Sequence, residues 1–177
     1  YAATRRDDPQ AVAFAMNGGM FDDDGEPVGY YVESGKRLQG LSRAKGPGNF
    51  HMLPNGVFFG TGEKWEIRTS EDFFENVDKR PQFGTQSGPM LVIGGELHPG
   101  IDPDGESLRI RNAGGVGPGK LARYYRDVLG VKNALFLDGT VSGLWDPASG
   151  RLDEGFPLGP LIVVEKRAKA PEKKDAA

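Results

Sequence analysis

"PNGVFFGTGEKWEIRTS", residues 54–70, contains two strand candidates on either side of a glycine turn. Val57-Phe58-Phe59 leads into the turn, and Trp65 to Arg68 returns with apolar and polar residues in alternation. Because alternation at a period of two is typical of a strand with one buried face, this stretch predicts a β-hairpin. Ser70 then has an N-cap position, and the acidic first turn of EDFFENV predicts a short helix over about 71–77.

Further strands are predicted on both sides of this hairpin. VGYYVESGKRLQGL (Val28 to Leu41) predicts a second hairpin that turns at Ser34-Gly35. MLVI (Met90 to Ile93) predicts a strand that turns at Gly94-Gly95. Three more strands are indicated by the apolar runs AVAFAMN, ALFL and GPLIVVEK, which begin at Ala11, Ala134 and Gly159.

The stretch KLARYYRDVLG predicts the main helix, over about 120–130. Its apolar residues fall on one helix face, and Gly130 is a typical C-terminal stop; the face consists of Leu121, Tyr124, Tyr125, Val128 and Leu129. The chain has no internal repeat or central linker, so residues 1–166 are expected to form one α+β domain with a hairpin-rich mixed β-sheet. Residues 167–177 form a charged, apolar-poor tail that is expected to be disordered.

Composition excludes several classes of function. The 177 residues include 27 glycines and 13 prolines, which favour tight turns and short strands. With 22 basic and 25 acidic residues, the net charge of −3 offers no excess of positive charge for a nucleic acid. The absence of cysteine excludes disulfides, thiolate chemistry and Cys-ligated zinc. No apolar run is long enough to span a bilayer, and the sequence does not predict an oligomeric state.

Four segments share one design, in which an apolar strand ends in small and polar residues. These segments are AFAMNGGMF, FGTQSGPML, LRIRNAGGVG and ALFLDGTVSG. Strands that end in this way can bring their termini together in one cleft, where glycines let a ligand approach the backbone and exposed N–H groups can bind an anion.

Each polar residue at these strand ends also has a purely structural interpretation. Asp138, taken alone, is more typical of a strand-end turn that binds its own backbone. Arg109 and Arg111 lie on one strand face; a solvated edge is favoured for Arg109, whereas Arg111, beside the glycine-rich loop, is placed to clamp a phosphate or carboxylate. For Asn17 and Gln86-Ser87, turn capping and ligand binding are equally good interpretations.

No cofactor motif or metal site is indicated. The sequence has no GxSxG elbow, HExxH helix or GxxxxGK[ST] loop, and GGVGPG lacks a surrounding βαβ unit. DDDGE (Asp22 to Glu26) lacks the ligand spacing of a calcium loop, which favours a solvated turn. His51 and His98 share no metal-ligand spacing with another histidine and are interpreted as structural or surface residues.

Taken together, the segments resemble the phosphodiester glycosidase family, and its bacterial secreted branch most closely. The resemblance runs from Ala13 to Trp145, through AFAMNGGMF, PVGYYVESG, GNFHMLPNGVFF, TQSGPMLVIGGELHP, RIRNAGGVG and NALFLDGTVSGLW. It implies an exported hydrolase that acts on a glycan or sugar-phosphate substrate. The implied reaction cleaves the sugar–oxygen bond of a sugar-1-phosphodiester, such as a GlcNAc-1-phosphodiester, and releases the free sugar and a phosphomonoester.

The resemblance also implies a set of site residues. Matched residue by residue, it suggests catalytic roles for Asp138 and Arg111, and substrate-binding roles for Asn17, Gly18, Gln86, Ser87, Gly88, Gly139 and Ser142. Relatives usually carry a further strand and loop after the RNxxGVG segment, which this chain joins almost directly to its helix. The family's DGGxS is DGTVS here, so a role that needs positive φ at Thr140 is in doubt.

These residues support a mechanism with one carboxylate. Glycoside hydrolysis normally uses two carboxyl groups, but a phosphomonoester leaves more readily than a sugar alkoxide and needs protonation less. Arg111 and N–H groups of the Gly114 to Gly119 loop would stabilise the departing phosphate, while Asp138 would activate water or orient the sugar. The remaining polar residues would bind sugar hydroxyls or phosphate oxygens.

Three other functions fit parts of the sequence. A non-catalytic carbohydrate or cell-wall binding module could have kept the cleft. A metal-dependent phosphodiesterase would cut the P–O bond instead, although the lack of a dense Asp/His cluster argues against it. A structural domain of a larger surface assembly is the weakest alternative.

Overall fold

The computed structural model describes residues 8–62, 64–77, 79–105, 117–139, 141–155 and 157–166. The predicted tail and the predicted strand with Arg109 and Arg111 lie outside these ranges. In chain order the strands are β1 (Val12–Asn17), β2 (Tyr31–Glu33), β3 (Lys36–Gln39), β4 (Gly56–Gly60), β5 (Trp65–Thr69), β6 (Phe83–Ser87), β7 (Met90–Ile93), β8 (Glu96–Leu97), β9 (Ala134–Leu135), β10 (Leu144–Asp146), β11 (Arg151–Leu152) and β12 (Leu161–Glu165). The helices are a 3₁₀ turn (Pro9–Ala11), α1 (Ser70–Asn76) and α2 (Pro118–Arg123), and α2 continues into a π-helical turn (Tyr124–Val128).

The strands form three sheets. Their orders are β11-β10-β1-β12, β3-β2-β6-β4-β5 and β8-β7-β9, and the ladders between these strands are antiparallel. This confirms the predicted α+β class and the hairpin-rich character of the chain. It also shows that the predicted strands are divided among three sheets, which antiparallel hairpins can form without long crossover connections.

Both predicted hairpins are present. In the first, β4 pairs with β5 so that Phe58 lies opposite Ile67 and Gly60 opposite Trp65. In the second, β2 and β3 are joined at Ser34-Gly35, where both residues have positive φ, 49° and 75°. Glycine adopts this left-handed conformation without the Cβ clash that other residues meet, which explains its place in the turn.

Helix α1 begins one residue earlier than predicted. Thr69 has extended φ and ψ, and its hydroxyl accepts a hydrogen bond from the Asp72 N–H at 3.2 Å. Thr69 is therefore the N-cap, and the prediction of Ser70 was wrong by one position. Ser70 is instead buried, and its hydroxyl accepts a hydrogen bond from the Gln86 amide. Thr69 and Ser70 both carry a hydroxyl that could cap the helix. The sequence does not show that the Ser70 hydroxyl is bound by the buried Gln86 amide, so it does not reveal that Thr69 is the cap.

The main helix was predicted at the right place but with the wrong buried face. Only its first part is α-helical, and the following turn, Tyr124–Val128, is a π-helix. A π turn contains more residues than an α turn, so a face drawn at 3.6 residues per turn does not continue through it. Tyr124, Val128 and Leu129 are exposed, with Val128 at 69%, while Leu121 and Tyr125 pack on the core. No helix in the described ranges is long and apolar enough to cross a membrane.

Two apolar clusters hold the sheets in place. One covers the five-stranded sheet, where the Phe73 ring of α1 meets the rings of Tyr30 and Phe59 edge-on at 4.8 and 4.9 Å. The other joins the three-stranded sheet to α2 through Leu91, Val92, Ala122, Ala134 and Phe136. Burial of such side chains is worth about 1.5–3 kcal/mol each, so the two clusters fix the strand ends that lie between them.

Candidate active site

The segment after β9 turns at Asp138, as predicted, but its strand is shorter than the predicted four residues. β9 covers only Ala134–Leu135, and the buried Phe136 continues with its N–H donated to the Pro89 carbonyl at 3.0 Å. The Phe136 ring then covers Gly139, where an added Cβ would lie 2.7 Å from the ring atom Cζ. Gly139 is therefore required by close packing, and this packing sets the direction of the loop that carries Asp138.

Asn17, at the end of β1, holds both ends of that loop. Its side-chain N–H donates to the backbone carbonyl of Asp138 at 2.9 Å. Its side-chain oxygen accepts from the Gly143 N–H at 3.3 Å and lies 3.5 Å from the Ser142 hydroxyl. We call Asn17, Asp138, Ser142 and Gly143 the Asn17 cluster. It unites Asn17 with two other predicted site residues, Asp138 and Ser142, which lie 121 and 125 positions away in the chain.

The members of the Asn17 cluster differ in how they meet solvent. Asn17 is only 3% exposed, and its amide acts on the loop from within the protein. Asp138 is partly buried, and Ser142 is exposed. Asn17 binds the main-chain carbonyl of Asp138 and therefore fixes the backbone from which the Asp138 side chain extends. The carboxylate oxygens take no part in this contact. The cluster therefore places one acid and one hydroxyl at the surface of a rigid support.

The glycines after Asn17 pack the cluster against the five-stranded sheet. The Gly18 N–H donates to the Pro160 carbonyl at 2.7 Å, and the Gly19 N–H donates to the Thr85 hydroxyl at 2.9 Å. A Cβ at Gly19 would overlap the Gln86 carbonyl oxygen. The backbone of this NGG segment is thus in contact with β6, next to the second group of predicted site residues.

Gln86 is at the centre of a buried hydrogen-bond network. Its side-chain oxygen accepts from the backbone N–H groups of Tyr30 and Ser42, both at 2.9 Å. Its side-chain nitrogen donates to the Ser42 carbonyl at 2.7 Å and to the Ser70 hydroxyl at 2.9 Å, and lies 3.4 Å from the Asn55 amide oxygen. Gln86 is 1% exposed, and both ends of its amide are bound by the protein. Its predicted contact with substrate stays a prediction, whereas its contacts with Tyr30, Ser42, Asn55 and Ser70 are in place.

Ser87 and Gly88 follow Gln86 into the interior. The Ser87 hydroxyl is fully buried and has no hydrogen-bond partner among the described residues. A Cβ at Gly88 would lie 2.8 Å from both the Asn55 Cβ and the Phe50 carbonyl oxygen, and the Gly88–Pro89 peptide bond is cis. A buried hydroxyl without a partner is uncommon in folded proteins, which sets Ser87 apart from the satisfied Gln86 beside it.

A cleft of about 550 Å³ lies next to these residues. Its walls come from three loops, the start of β7 and the start of α2, and include Asn49, Met52, Pro89, Leu91, Ile101, Asp102 and Phe136 with five glycines. Phe136 contacts the cleft and also covers Gly139, so the cleft and the Asn17 cluster adjoin across this ring. The volume is that of a small-ligand site, and the glycines leave backbone within reach of a ligand.

The described residues at one side of the cleft flank the segment that carries Arg111. Gly105 and Pro118 both line the cleft, and residues 106–116 between them lie outside the described ranges. The predicted catalytic role of Arg111 and the N–H groups of its glycine loop therefore stay predictions. Thr140, whose backbone freedom was in doubt, also lies outside the description.

Sequence reasoning missed the polar residues of the cleft wall. Asn49 and Asp102 both line it, and one Asp102 carboxylate oxygen accepts the Asp104 N–H at 3.0 Å. Asn49 lies in the quoted GNFHMLPNGVFF stretch, which carried the signal, but an Asn next to a glycine looks like an ordinary turn residue. Asn55, which donates to the Phe50 carbonyl at 2.9 Å, was missed for the same reason.

His98 supports the cleft from behind, in agreement with its predicted structural role. Its side chain is almost fully buried, and its Nδ1 accepts the Gly100 N–H at 3.0 Å. Burial lowers the pKa of the His98 imidazole, against a smaller opposing effect of the Leu53 and Pro54 carbonyls. No group of three or more His, Asp or Glu side chains in the described part of the chain is arranged to hold a metal ion.

Comparison with solved structures finds a protein of similar fold. The structure is similar to the catalytic domain of zebrafish N-acetylglucosamine-1-phosphodiester alpha-N-acetylglucosaminidase, solved with an auto-inhibiting pro-peptide. The TM-score is 0.56 at 14% identity, over 89% of this chain and 64% of that one. At this identity the likeness concerns the fold alone.

Sequence comparison gives nearer matches. The chain is 35% identical over 173 residues to the uncharacterized protein YigE of Escherichia coli K12. The aligned region covers 88% of this chain and 66% of YigE. The chain thus spans slightly less than two thirds of either relative. A sequence profile described as phosphodiester glycosidase matches residues 10–121, which is more than half of the chain. On this match, the chain belongs to the phosphodiester glycosidase family.

Proposed function

We propose that this protein hydrolyses a sugar-1-phosphodiester at the bond between the sugar and the bridging oxygen. The observation that carries the proposal is the Asn17 cluster, which holds Asp138 and Ser142 beside a glycine-lined cleft of about 550 Å³. A carboxylate, a hydroxyl and reachable backbone together can bind a polyhydroxylated ring and act on it. Family membership supports the same type of reaction.

The proposed reaction is a substitution at the anomeric carbon. Water attacks this carbon and forms a new C–O bond, while the bond to the bridging oxygen breaks. The electron pair of the broken bond stays on that oxygen, which leaves as part of a phosphomonoester. The proton lost by water is accepted by the Asp138 carboxylate, so the products are the free sugar and the phosphomonoester. Because phosphate is a good leaving group, the step does not require a second carboxyl group as acid.

Different residues support this step in different ways. We assign the Ser142 hydroxyl to a sugar hydroxyl, because Ser142 is the exposed hydroxyl of the cluster. Asn17 is a positioning residue that acts on Asp138 through the backbone carbonyl. Gln86 is a positioning residue for the loops around Tyr30 and Ser42. Stabilisation of the departing phosphate is assigned to Arg111 from the sequence alone.

The identity of the substrate and the place of action are finer proposals. The zebrafish neighbour acts, by its name, on an N-acetylglucosamine-1-phosphodiester, and we propose a related substrate for this chain. The apolar wall formed by Pro89, Leu91 and Phe136 would receive the less polar face of the sugar ring. We also propose an exported protein, which rests on the sequence resemblance to secreted bacterial relatives.

The test of Asp138 uses a matched pair of variants. With a panel of sugar-1-phosphodiesters, Asp138→Asn should lower kcat by at least about 100-fold, because loss of a general base removes a contribution of that size. Asp127→Asn is the control: Asp127 lies in the π turn, pairs with Arg126 at 2.6 Å and does not line the cleft. The assignment fails if Asp138→Asn retains the turnover of Asp127→Asn. Saturable glycan binding without turnover in the wild type would instead indicate a non-catalytic carbohydrate module.

A further inference from the structure

Each of the two histidines of the chain contacts a glycine that lines the cleft, but their hydrogen bonds have opposite polarity. The His51 Nδ1 lies 3.0 Å from the Ala44 carbonyl, and a Cβ at Gly46 would lie 3.1 Å from the His51 ring. The His98 Nδ1 instead accepts the Gly100 N–H at 3.0 Å. A carbonyl oxygen can only accept, so Nδ1 of His51 carries a proton, whereas Nδ1 of His98 does not.

The surroundings of His98 hold its ring in the neutral form. Because Nδ1 accepts an N–H, the single ring proton is on Nε2, which is buried and has no hydrogen-bond partner among the described residues. The side chain is only 1% exposed. Burial is the main cause that lowers the pKa of His98 below its usual value of about 6.5, and the Leu53 and Pro54 carbonyls oppose it in part.

Within the described ranges, no charged side chain contributes to this shift of the His98 pKa. Neither β7 nor the Leu53–Pro54 segment has an ionisable side chain. The nearby elements that have one are the loop before Leu53, β8, the loop after Gly100 and α2; these side chains are His51, Glu96, Asp102, Asp104, Lys120 and Arg123. Asp104 is paired with Arg123 at 2.7 Å. A positive charge on the His98 ring would therefore have no described counter-ion in place.

The Gly100 N–H forms one of two hydrogen bonds that close the turn after β8. The other is donated by the Ile101 N–H to the His98 carbonyl at 3.0 Å. The ring and the main chain of one residue thus bind successive N–H groups, and we call residues 98–101 the His98 turn. A Cβ at Gly100 would lie 2.8 Å from the terminal carbon of Met52, so the turn is packed against the loop that faces it.

The wall of the cleft continues from the His98 turn to α2. The Asp102 carbonyl oxygen lies so close to Gly119 that a Cβ there would overlap it. Both the turn and this contact line the cleft, through Gly100, Ile101, Asp102, Gly105 and Gly119. A shift of the His98 turn therefore changes the shape of the cleft.

We propose that His98 is a positioning residue of the cleft and that its protonation releases the His98 turn. A proton taken from solvent binds Nδ1, so two donors face each other and the hydrogen bond from the Gly100 N–H is lost. The turn then moves away from the ring, and ligand binding in the cleft declines on the acid side of neutrality. Protonation of His51 has no such effect, because its Nδ1 stays a donor to the Ala44 carbonyl.

The pH dependence has a defined sign. The unfolded chain takes up the His98 proton near its usual pKa of about 6.5, and the folded chain takes it up only at lower pH. The contribution of neutral His98 to the free energy of unfolding is therefore fully present above about pH 6.5 and is lost as the pH falls through the folded pKa. The turn should be released in this acid range.

NMR of the chain labelled with nitrogen-15 tests the release directly. At pH 8 the His98 ring should show a proton on Nε2 and a lone pair on Nδ1. As the pH is lowered, the Gly100 amide shift should change with the same midpoint as the His98 ring. The protection factor of the Gly100 amide against hydrogen exchange should fall by about tenfold, which is the scale of one lost hydrogen bond.

Variants at both histidines separate the charge of the ring from its shape. In His98→Asn the side-chain oxygen can take the place of Nδ1 but cannot titrate, so protection of the Gly100 amide should persist at pH 8 and no longer fall in acid. In His98→Gln the amide reaches the place of Nε2 instead, and protection should be low at every pH. His51→Asn is the control and should retain the acid fall of the wild type. If His98→Asn does not fold, the wild type and His51→Asn still decide.

The pH profile of hydrolysis extends the test to the cleft, and this part rests on the proposed function. Below the midpoint of His98, the ratio of kcat/KM in His98→Asn to that in the wild type should rise by about tenfold per pH unit, since only the neutral wild type is competent. Protonation of Asp138 would lower the rate in both proteins and leaves this ratio unchanged. If no sugar-1-phosphodiester is hydrolysed, the NMR result still decides whether the turn is released.

Three results would overturn the proposal. The first is a Gly100 amide whose shift and protection do not follow the titration of His98. The second is a His98 ring that stays neutral down to the pH at which the whole chain unfolds. The third is loss of the acid response in His51→Asn, which would assign the response to the other histidine.

Discussion

At the scale of single residues, Asn17 determines how the candidate active site is held. One amide binds the Asp138 carbonyl and the Gly143 N–H, so it closes the loop that carries the proposed base. A buried amide is suited to this task because it offers a donor and an acceptor at fixed positions. Its effect on catalysis would be exerted through Asp138 and not through contact with the reacting atoms.

Removal of the Asn17 amide should affect stability and activity together. Asn17→Ala removes the partner of the partly buried Asp138 carbonyl and Gly143 N–H, so the free energy of unfolding should fall by about 1–3 kcal/mol. The kcat should fall as well, because the Asp138 loop loses its tether. Urea unfolding and steady-state kinetics measure the two effects, and Asn76→Ala, at an exposed helix position with an Asp72 contact at 2.7 Å, is the control. Unfolding curves of Asn17→Ala and Asn76→Ala that coincide would rule out the tethering role.

The meeting of Asn17, Asp138 and Ser142 could be predicted from the sequence, whereas the surroundings of Gln86 could not. All these residues follow apolar strands, which is the pattern that indicates a shared edge. However, β6 is buried on both faces from Gly84 to Ser87, because the NGG segment covers one side and the β2 and α1 regions the other. A polar side chain at such a strand end lies in the interior. The segments that cover it are distant in the chain and become apparent only in the fold.

At the scale of elements, the Gln86 side chain joins β6 to the loops at Tyr30 and Ser42 and to the start of α1. Networks of this kind hold loops in one arrangement when every donor and acceptor is satisfied. These elements are thus connected by a single amide as well as by apolar packing.

Loss of the Gln86 amide should loosen these elements selectively. Gln86→Ala should lower the free energy of unfolding by at least about 2 kcal/mol, since several buried groups lose their partner. Hydrogen exchange should accelerate most at the Tyr30 and Ser42 amides, which donate to the Gln86 oxygen. Gln82→Ala, on an exposed residue of the same region, should change neither quantity appreciably. Unchanged exchange at Tyr30 and Ser42 in Gln86→Ala would contradict the network's role.

Hairpins and helix positions could be read from the sequence because their signals are local. The turn at Ser34-Gly35 and the alternation around Gly60 each lie within a few residues. The short strands β10 and β11 were missed, because their few residues carry no usable periodicity. The π turn at Tyr124–Val128 was missed because apolar spacing at 3.6 residues does not distinguish an α-helix from one that widens at its end.

At the scale of the whole molecule, the candidate site depends on pairings between distant parts of the chain. β1 pairs with β12 near the end of the described residues and with β10, while β7 pairs with β9. Strand order of this kind cannot be derived from one sequence, because every apolar strand can pair with several others at similar cost. The prediction of a shared cleft therefore depended more on the resemblance of the motifs to a family than on the residue pattern alone.

The most direct test of the proposed reaction is hydrolysis of a GlcNAc-1-phosphodiester in water enriched in oxygen-18. Attack at the anomeric carbon predicts that the heavy oxygen enters the released sugar and that the phosphomonoester stays unlabelled, as mass spectrometry of both products would show. Label in the phosphomonoester, with none in the sugar, would mean that the P–O bond breaks and would contradict the proposed glycosidase.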